Sequence, residues 1–462
     1  MFHLSDIRNY LRCPRYFYLQ NKELQLPRIF SNLRSDIPVE EIIKKRFNLT
    51  KLFLGKANDK PELFLAALEE YSWFFNARVE NKNLRMRLPL LHKLNDWDLD
   101  VYYLILLPNP MAGEVINYAQ TIKALQDLGF SIKNVYLLHL NPDYIRKERI
   151  DYHQLLLISK HFYNENHIPK ERVNWWINKR IVDYSSTLEA MSLCLEGELP
   201  PLKDAKHCQK RPKCPLFGYC YPQYQTLESS EITSQSEYAQ IMADKGPGIF
   251  CDQLALKYWL KDNFSYPLAF LDFEWDTFAV PPYKKMKPLD VLPFQYSLDV
   301  LQENGKITHY DFLQTGDTRL AFLRSLLKNL PKTGKIVVFN AEGGEKLRLL
   351  DLKRQFPHYG KKIDKLIRRI VDISAPFNQG CIYLSAMKHS YSLKSIVHAI
   401  NQSDYKEMEV KDGREAFIQW RVYEKNHDPQ VYEALINYCR KDTMSLITIF
   451  RYLEKIAKEI LP

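Results

Sequence analysis

The chain has 462 residues, 46% of them hydrophobic and 26% charged, with a formal net charge of +10. That size and composition point to two globular domains and exclude a fibrous or wholly disordered chain. No apolar run is long enough to span a bilayer and the N-terminus lacks a signal-peptide core, so a cytoplasmic protein with no membrane partner is expected.

Most of the basic excess falls within residues 1–225, which favours an anionic partner there, nucleic acid above all. The first helical pattern is interrupted at Cys13-Pro14, because the residue before proline is pushed out of helical geometry. Lys147, Arg149, Lys170, Arg172, Lys179 and Arg180, interleaved with Trp175 and Trp176, offer charge for phosphates and rings for stacking. Further on, Cys208, Cys214 and Cys220 stand six apart in a loop shaped by Pro212 and Pro215. Eight cysteines in a cytoplasmic chain argue for metal or core use before disulfides. Four thiolates suit a [4Fe–4S] cluster; Zn²⁺ accepts the same set, and unligated core cysteines are the third option. Cys194, Cys251, Cys381 and Cys439 read as small buried hydrophobes.

One N-terminal cysteine with a distal triplet resembles the iron–sulfur RecB-like nucleases, a group with a restriction-endonuclease-like α/β fold. The resemblance implies that Cys13, Cys208, Cys214 and Cys220 hold a [4Fe–4S] cluster that closes the domain. It also implies strands at 84–91 and 97–104, a helix at 114–129 and a further strand from Val135, with an aspartate near residue 89 and a Glu-x-Lys on the strand after Trp97. This chain carries Pro89, Val101 and Tyr103 there. Valine cannot bind a metal and tyrosine cannot supply the lysine's charge, so residues 1–224 read as a catalytically degenerate domain that binds nucleic acid or a protein partner. Asp98 and Asp100 would need a shift of register to serve.

Residues 225–262 read as an exposed linker with a short helix, being rich in Ser, Thr, Glu and Gln and broken at Lys245-Gly-Pro-Gly. From 263 to 462 strands and helices alternate. Strands are predicted at 269–273, 293–300, 307–313 and 335–339, and helices at 319–330 and 345–355. Asp272 and Glu274 sit two apart in an apolar run, so on a strand they share a face. Tyr438 and Asp442 sit four apart in a helical pattern and share a face there. Two carboxylates from a strand and one from a helix make a hard-oxygen site for Mg²⁺ or Mn²⁺. Glu345 adds an acid where strand turns to helix, and Glu342 is the alternative donor. Lys284 and Lys285, just beyond Asp-x-Glu, are candidates for a rim that touches a nucleic-acid backbone.

In order and chemistry, Asp272-x-Glu274, the Asn340–Glu345 turn and Tyr438-x-x-x-Asp442 resemble the three motifs of the DEDD exonucleases, DnaQ-like in fold. Ile370-Val-Asp-Ile-Ser and Tyr391-Ser-Leu-Lys-Ser-Ile fit the same family. With the N-terminal half, the chain resembles a bacterial family of unknown function that joins an iron–sulfur RecB-like half to a DEDD half. The resemblance implies an RNase H-like mixed sheet flanked by helices, two divalent ions held by Asp272, Glu274, Asp442 and Glu345, and Tyr438 orienting a water. It implies a 3′–5′ exonuclease on single-stranded DNA or RNA. The rivals are a non-catalytic nucleic-acid-binding scaffold in a repair or defence complex and an endonuclease centred on the N-terminal half.

Overall fold

A computed structural model describes residues 1–22, 36–81, 83–115, 117–209, 214–221, 234–403, 405 and 408–459. Pro212 and residues 225–233 of the expected linker lie outside the described residues. The chain divides into two compact units, Met1–Tyr224 with Phe278–Leu289, and Gln225–Thr277 with Asp290–Pro462.

The first unit carries a six-stranded sheet in the order Phe53–Leu54, Trp73–Phe75, Leu90–Lys93, Asp98–Ile105, Ser131–Leu140, Leu156–Ser159. Asp98–Ile105 runs parallel to Ser131–Leu140, and the helix Tyr118–Asp127 lies between them in sequence. Parallel neighbours need such a crossover. A second sheet of three strands joins Phe2–His3, Leu84–Arg87 and Arg78–Asn81. Residues 84–91, expected as one strand, are therefore two, in separate sheets. Pro89 sits at the break, where it has no N–H to give a ladder. The core gathers Phe17, Phe74, Leu91, Leu99, Val101, Leu137 and Trp176.

Residues 278–289 belong to this first unit although they follow the Asp-x-Glu strand directly. Ala279 and Val280 are buried in a cluster with Ile42, Leu90 and Leu138. Arg146 donates to the carbonyls of Pro281 at 2.8 Å and Pro282 at 2.6 Å.

The second unit is built on a five-stranded mixed sheet. Its strands are β1 (Leu268–Thr277), β2 (Val291–Leu301), β3 (Ile307–Leu313), β4 (Lys335–Val338) and β5 (Ile370–Asp372), in the spatial order 3-2-1-4-5. β1, β2 and β3 are antiparallel, and β4 and β5 continue parallel to β1. Helices α1 (Arg319–Asn329) and α2 (Glu345–Gln355) are followed by α3 (Leu393–Asn401), α4 (Gly413–Asn426) and α5 (Pro429–Lys458).

The pleat of β1 sorts its side chains. Ala269, Leu271 and Phe273 enter one apolar layer with Phe322 and Leu326 of α1 and Leu349 and Leu352 of α2. Leu268 and Phe270 enter the other, with Leu446, Ile449, Phe450 and Leu453 of α5 and Ile396 of α3. Each fully buried side chain of this size contributes about 1.5–3 kcal/mol.

Residues 234–262 are not a linker. They form the helix Gln235–Lys245, the strand Ile249–Cys251 and the helix Gln253–Asn263, and the strand pairs antiparallel with Ile382–Leu384. Ala239, Ala243 and Leu256 are fully buried in the α5-side layer. Two alanines one turn apart let a helix pack closely while presenting few large apolar residues. That explains why composition alone suggested an exposed segment.

Candidate metal centre

Asp272 and Glu274 continue the β1 row that begins with Leu268 and Phe270, so the strand's own alternation aims them toward α5. They stand opposite Ser297 and Gln295 of β2, and an irregularity of register follows between Glu274 and Trp275. A bulge of this kind ends regular pairing and re-aims side chains. On α5, Tyr438, Cys439, Asp442, Ser445 and Leu446 are buried on one helical face. The helix starts at Pro429 with Asp428 as its cap, whose carboxylate accepts the Gln430 N–H at 2.9 Å. α5 is fixed against β2 by polar bonds. Ser297 Oγ lies 2.9 Å from Thr443 Oγ1, and Thr443 donates to Asp299 Oδ2 at 2.7 Å.

The result is convergence across about 170 residues of sequence. One ligand oxygen from each of Asp272, Glu274 and Asp442 lies within 4.8 Å of the others, and Glu274 and Asp442 are buried. Burial pushes the Asp272 and Glu274 carboxyls well above the ordinary carboxylate range, and the neighbouring Asp442 pushes them further. Asp442 is pushed up to about 6 by burial, against hydrogen bonds from the Tyr405 and Tyr438 hydroxyls and the charge of Lys394. Like charges gathered out of water favour protonation unless a cation neutralises them.

Glu345 is the first residue of α2, at the end of the turn that leaves β4. It is buried, and burial raises its carboxyl to about 8, although the N–H groups of Phe273 and of Glu345 itself donate to it. Its Oε2 is buried with no hydrogen-bond partner. The turn is clamped by Asp372 of β5, which accepts the Asn340 and Ala341 N–H groups, each at 3.0 Å. Glu342, the alternative, is exposed and pairs with Lys346. Hard carboxylate oxygens in mutual repulsion, with an orphaned acid oxygen beside them, are a donor set that suits Mg²⁺ or Mn²⁺.

The strand-and-helix motifs pointed to Asp272, Glu274, Glu345, Tyr438 and Asp442. Three more side chains belong to the centre. Tyr405 donates to Asp442 Oδ1 at 2.6 Å. Cys439 Sγ lies 3.3 Å from Asp272 Oδ2, so it is a site residue as well as a buried one. Lys394 holds its ammonium 4.5 Å from the Tyr405 ring centre and 5.1 Å from that of Tyr438. Lys394 lies within the Tyr391-Ser-Leu-Lys-Ser-Ile stretch, which was the available signal for it. Tyr405 lies in an irregular loop with no periodicity to mark it.

The other candidate residues sit elsewhere. Lys284 pairs with Glu148 in the first unit, and Lys285 occupies a left-handed turn with φ 69°. Arg172 ends an exposed strand, Pro169–Arg172. Arg180 lies over the ring of Trp176, 4.3 Å from its centre, and donates to the Trp176 carbonyl at 3.3 Å. Trp176 is a core residue and not a stacking platform. Trp175 is about half exposed, with the Lys179 ammonium 3.8 Å from its ring centre.

In the first unit's sheet, Val101 and Tyr103 are buried in the core. Asp98 pairs with Lys133 at 3.1 Å and Asp100 accepts from Asn134 at 2.9 Å, so both acids have partners of their own. Cys208 and Cys214 are buried in a small apolar cluster with Leu19, Leu216 and Phe217, and Cys220 packs against it. Burial raises the Cys208 thiol, and the nearby Cys214, Cys13 and Cys220 raise it further.

Residues 269–392, less than half of the chain, match a family described as Domain of unknown function (DUF2779). The match takes in Asp272, Glu274 and Glu345 and stops short of Tyr438 and Asp442. Among solved structures the chain is similar to the family B DNA polymerase from the hyperthermophilic archaeon Pyrobaculum calidifontis, at 14% identity and a TM-score of 0.27. That likeness covers 42% of this chain and 27% of the polymerase chain, so the chain spans about a quarter of that protein's length. No curated protein matches. No helix among the described residues is long and apolar enough to cross a membrane.

Proposed function

We propose that the chain is a metal-dependent phosphodiesterase, a 3′–5′ exonuclease acting on single-stranded nucleic acid. The observation that carries this reading is the meeting of Asp272, Glu274 and Asp442 oxygens within 4.8 Å of one another. The 3-2-1-4-5 order of the mixed sheet supports an RNase H-like reading of the second unit. Asp272, Glu274 and Asp442 would hold divalent ions, with the orphaned Glu345 oxygen as a further ligand. Bound there, such ions supply an activated water and charge stabilisation at the departing 3′ oxygen. The chain's own contribution is positional. Tyr438, one turn before Asp442, has a hydroxyl whose deprotonation burial strongly opposes; its proton goes to Asp442, and its oxygen lone pairs are what can accept from and orient a water. The bulge after Glu274 and the clamp on the Asn340 turn fix where the acids stand.

The first unit, on this reading, is a degenerate nuclease-like fold that binds nucleic acid or a protein partner. Cys13, Cys208, Cys214 and Cys220 would hold a [4Fe–4S] cluster, which takes four thiolate ligands. A single zinc bound at about 2.3 Å per sulfur would draw the four within about 4 Å of each other. Zn²⁺ is the alternative occupant and unligated core cysteines the third option.

The test compares wild type with Asp272→Ala on end-labelled single strands in Mn²⁺. A ladder shortening from the 3′ end, present in wild type and absent in the variant, is the expected result. Equal binding with no cleavage by either protein would overturn the enzyme reading in favour of the scaffold.

A further inference from the structure

Lys394 is the second residue of α3, two positions after the Ser392 cap. A cation in the first turn is opposed by the helix dipole, which is positive at that end. Something must offset that placement. The side chain is half-buried, and its ammonium donates to the Lys411 carbonyl at the surface. It faces the rings of Tyr405 and Tyr438 at 4.5 and 5.1 Å. Both rings carry hydroxyls that donate to Asp442. The charge thus stands behind two tyrosines that touch the acid cluster, and it holds down the carboxyls of Glu274 and Asp442. Lys441 lies farther off, 5.9 Å from the Tyr405 ring, and is tied to Ser403 Oγ at 2.7 Å.

We infer that Lys394 is the built-in counter-cation of the acid cluster: it holds the carboxylates together when no metal is bound, and it sets how much divalent ion is needed to fill the site. This rests on the metal-site reading above. A fixed positive charge beside the carboxylates stabilises the metal-free protein and repels an incoming divalent ion. It is therefore a positioning residue, and its removal moves two measurable quantities in opposite directions. The metal-free protein becomes less stable, while the affinity for metal rises. A lysine with a purely structural role would lower stability and leave metal affinity where it was or weaken it.

The experiment uses the full chain without substrate. Direct Mn²⁺ binding is measured by titration calorimetry for wild type, the neutral variants Lys394→Met and Lys394→Gln, the charge-retaining Lys394→Arg, and Asp272→Asn. Thermal melting is followed in chelator and in Mn²⁺. Either neutral variant is expected to bind Mn²⁺ roughly five-fold or more tightly, the scale of a unit charge acting on a divalent ion in a screened setting. Each should melt lower than wild type in chelator and recover that loss in Mn²⁺, while Lys394→Arg stays close to wild type in both. Unchanged or weaker Mn²⁺ binding in the neutral variants, with Asp272→Asn impaired, overturns the role of Lys394 alone. Undiminished binding by Asp272→Asn overturns the metal site itself and this inference with it.

Discussion

The Tyr405 hydroxyl donates to Asp442 Oδ1 at 2.6 Å and lies 2.9 Å from Ser445 Oγ, all three groups being buried. A loop tyrosine is thereby joined to an acid on the long helix. With one Asp442 oxygen occupied, the carboxylate's orientation is fixed toward Asp272 and Glu274. Tyr405→Phe keeps the ring and removes the donor. Because the acceptor is a charged group, the loss should be about 1.5–3 kcal/mol in urea unfolding. Mn²⁺ affinity should also fall, since Asp442 loses one of the two tyrosine hydroxyls that orient it. Unaltered unfolding and Mn²⁺ titration curves would show that the hydroxyl positions nothing.

Arg421 on α4 meets Asp276 at the end of β1 through two bonds, Nε at 2.8 Å and Nη2 at 2.6 Å. Asp276 is 1% exposed, so removing the guanidinium leaves a buried carboxylate without this counter-ion. Breaking one side of such a pair costs about 3–5 kcal/mol. Arg421→Met should therefore destabilise strongly, and Arg421→Met with Asp276→Leu should recover most of the loss. A double variant as unstable as the two single losses added together would refute coupling between them.

How much of this was legible beforehand divides by mechanism. β3 spans the same residues as the strand read from the sequence, and α1 and α2 start where their helical patterns start. Asp272 and Glu274 follow from period two on a strand, and Tyr438 and Asp442 from period 3.6 on a helix. These are local signals. Tyr405 enters the centre through the long-range packing of a loop, which no window of sequence reports, whereas Lys394 lies in the marked Tyr391–Ile396 stretch, although nothing local says that its ammonium reaches the acids. The helix Gln235–Lys245 was hidden because its buried residues, Ala239, Gln240, Ile241 and Ala243, include one large apolar side chain. Lys284 and Lys285 were read as a rim because they follow Asp-x-Glu closely in sequence, whereas residues 278–289 belong to the first unit, with Ala279 and Val280 in its core.

Glu345 gives a pH prediction with a definite sign. Its folded carboxyl sits at about 8, against an ordinary 4.5. Between those values the native chain keeps a proton that the unfolded chain has released. Stability in chelator should therefore fall as pH rises from about 4.5 to about 8, and this contribution should level off above. Glu345→Gln carries no charge to bury, so its unfolding free energy should decline less over the same window and exceed that of wild type at pH 8. Denaturant melts at several pH values check this, and parallel curves for the two proteins would contradict it.

The four cysteines make the last prediction. Cys13 lies between the helices Leu4–Arg12 and Pro14–Lys22, while the other three come from residues 208–220, so a shared metal centre would tie the two ends of the first unit together. Among the described residues, the buried apolar side chains clustered with Cys208 and Cys214 are Leu19, Leu216 and Phe217, with Tyr16, Leu199, Ala205 and Tyr221 partly buried against them, a small cluster. A bound centre would then account for much of the local stability, as structural metal sites do. Protein purified without oxygen should absorb broadly near 400 nm, lose that band in Cys214→Ser, and become susceptible to proteolysis near residue 210 when the metal is removed. A colourless protein holding one zinc per chain would replace the cluster with zinc. Absence of both metals, with Cys214→Ser as protease-resistant as wild type, would leave the cysteines as core residues.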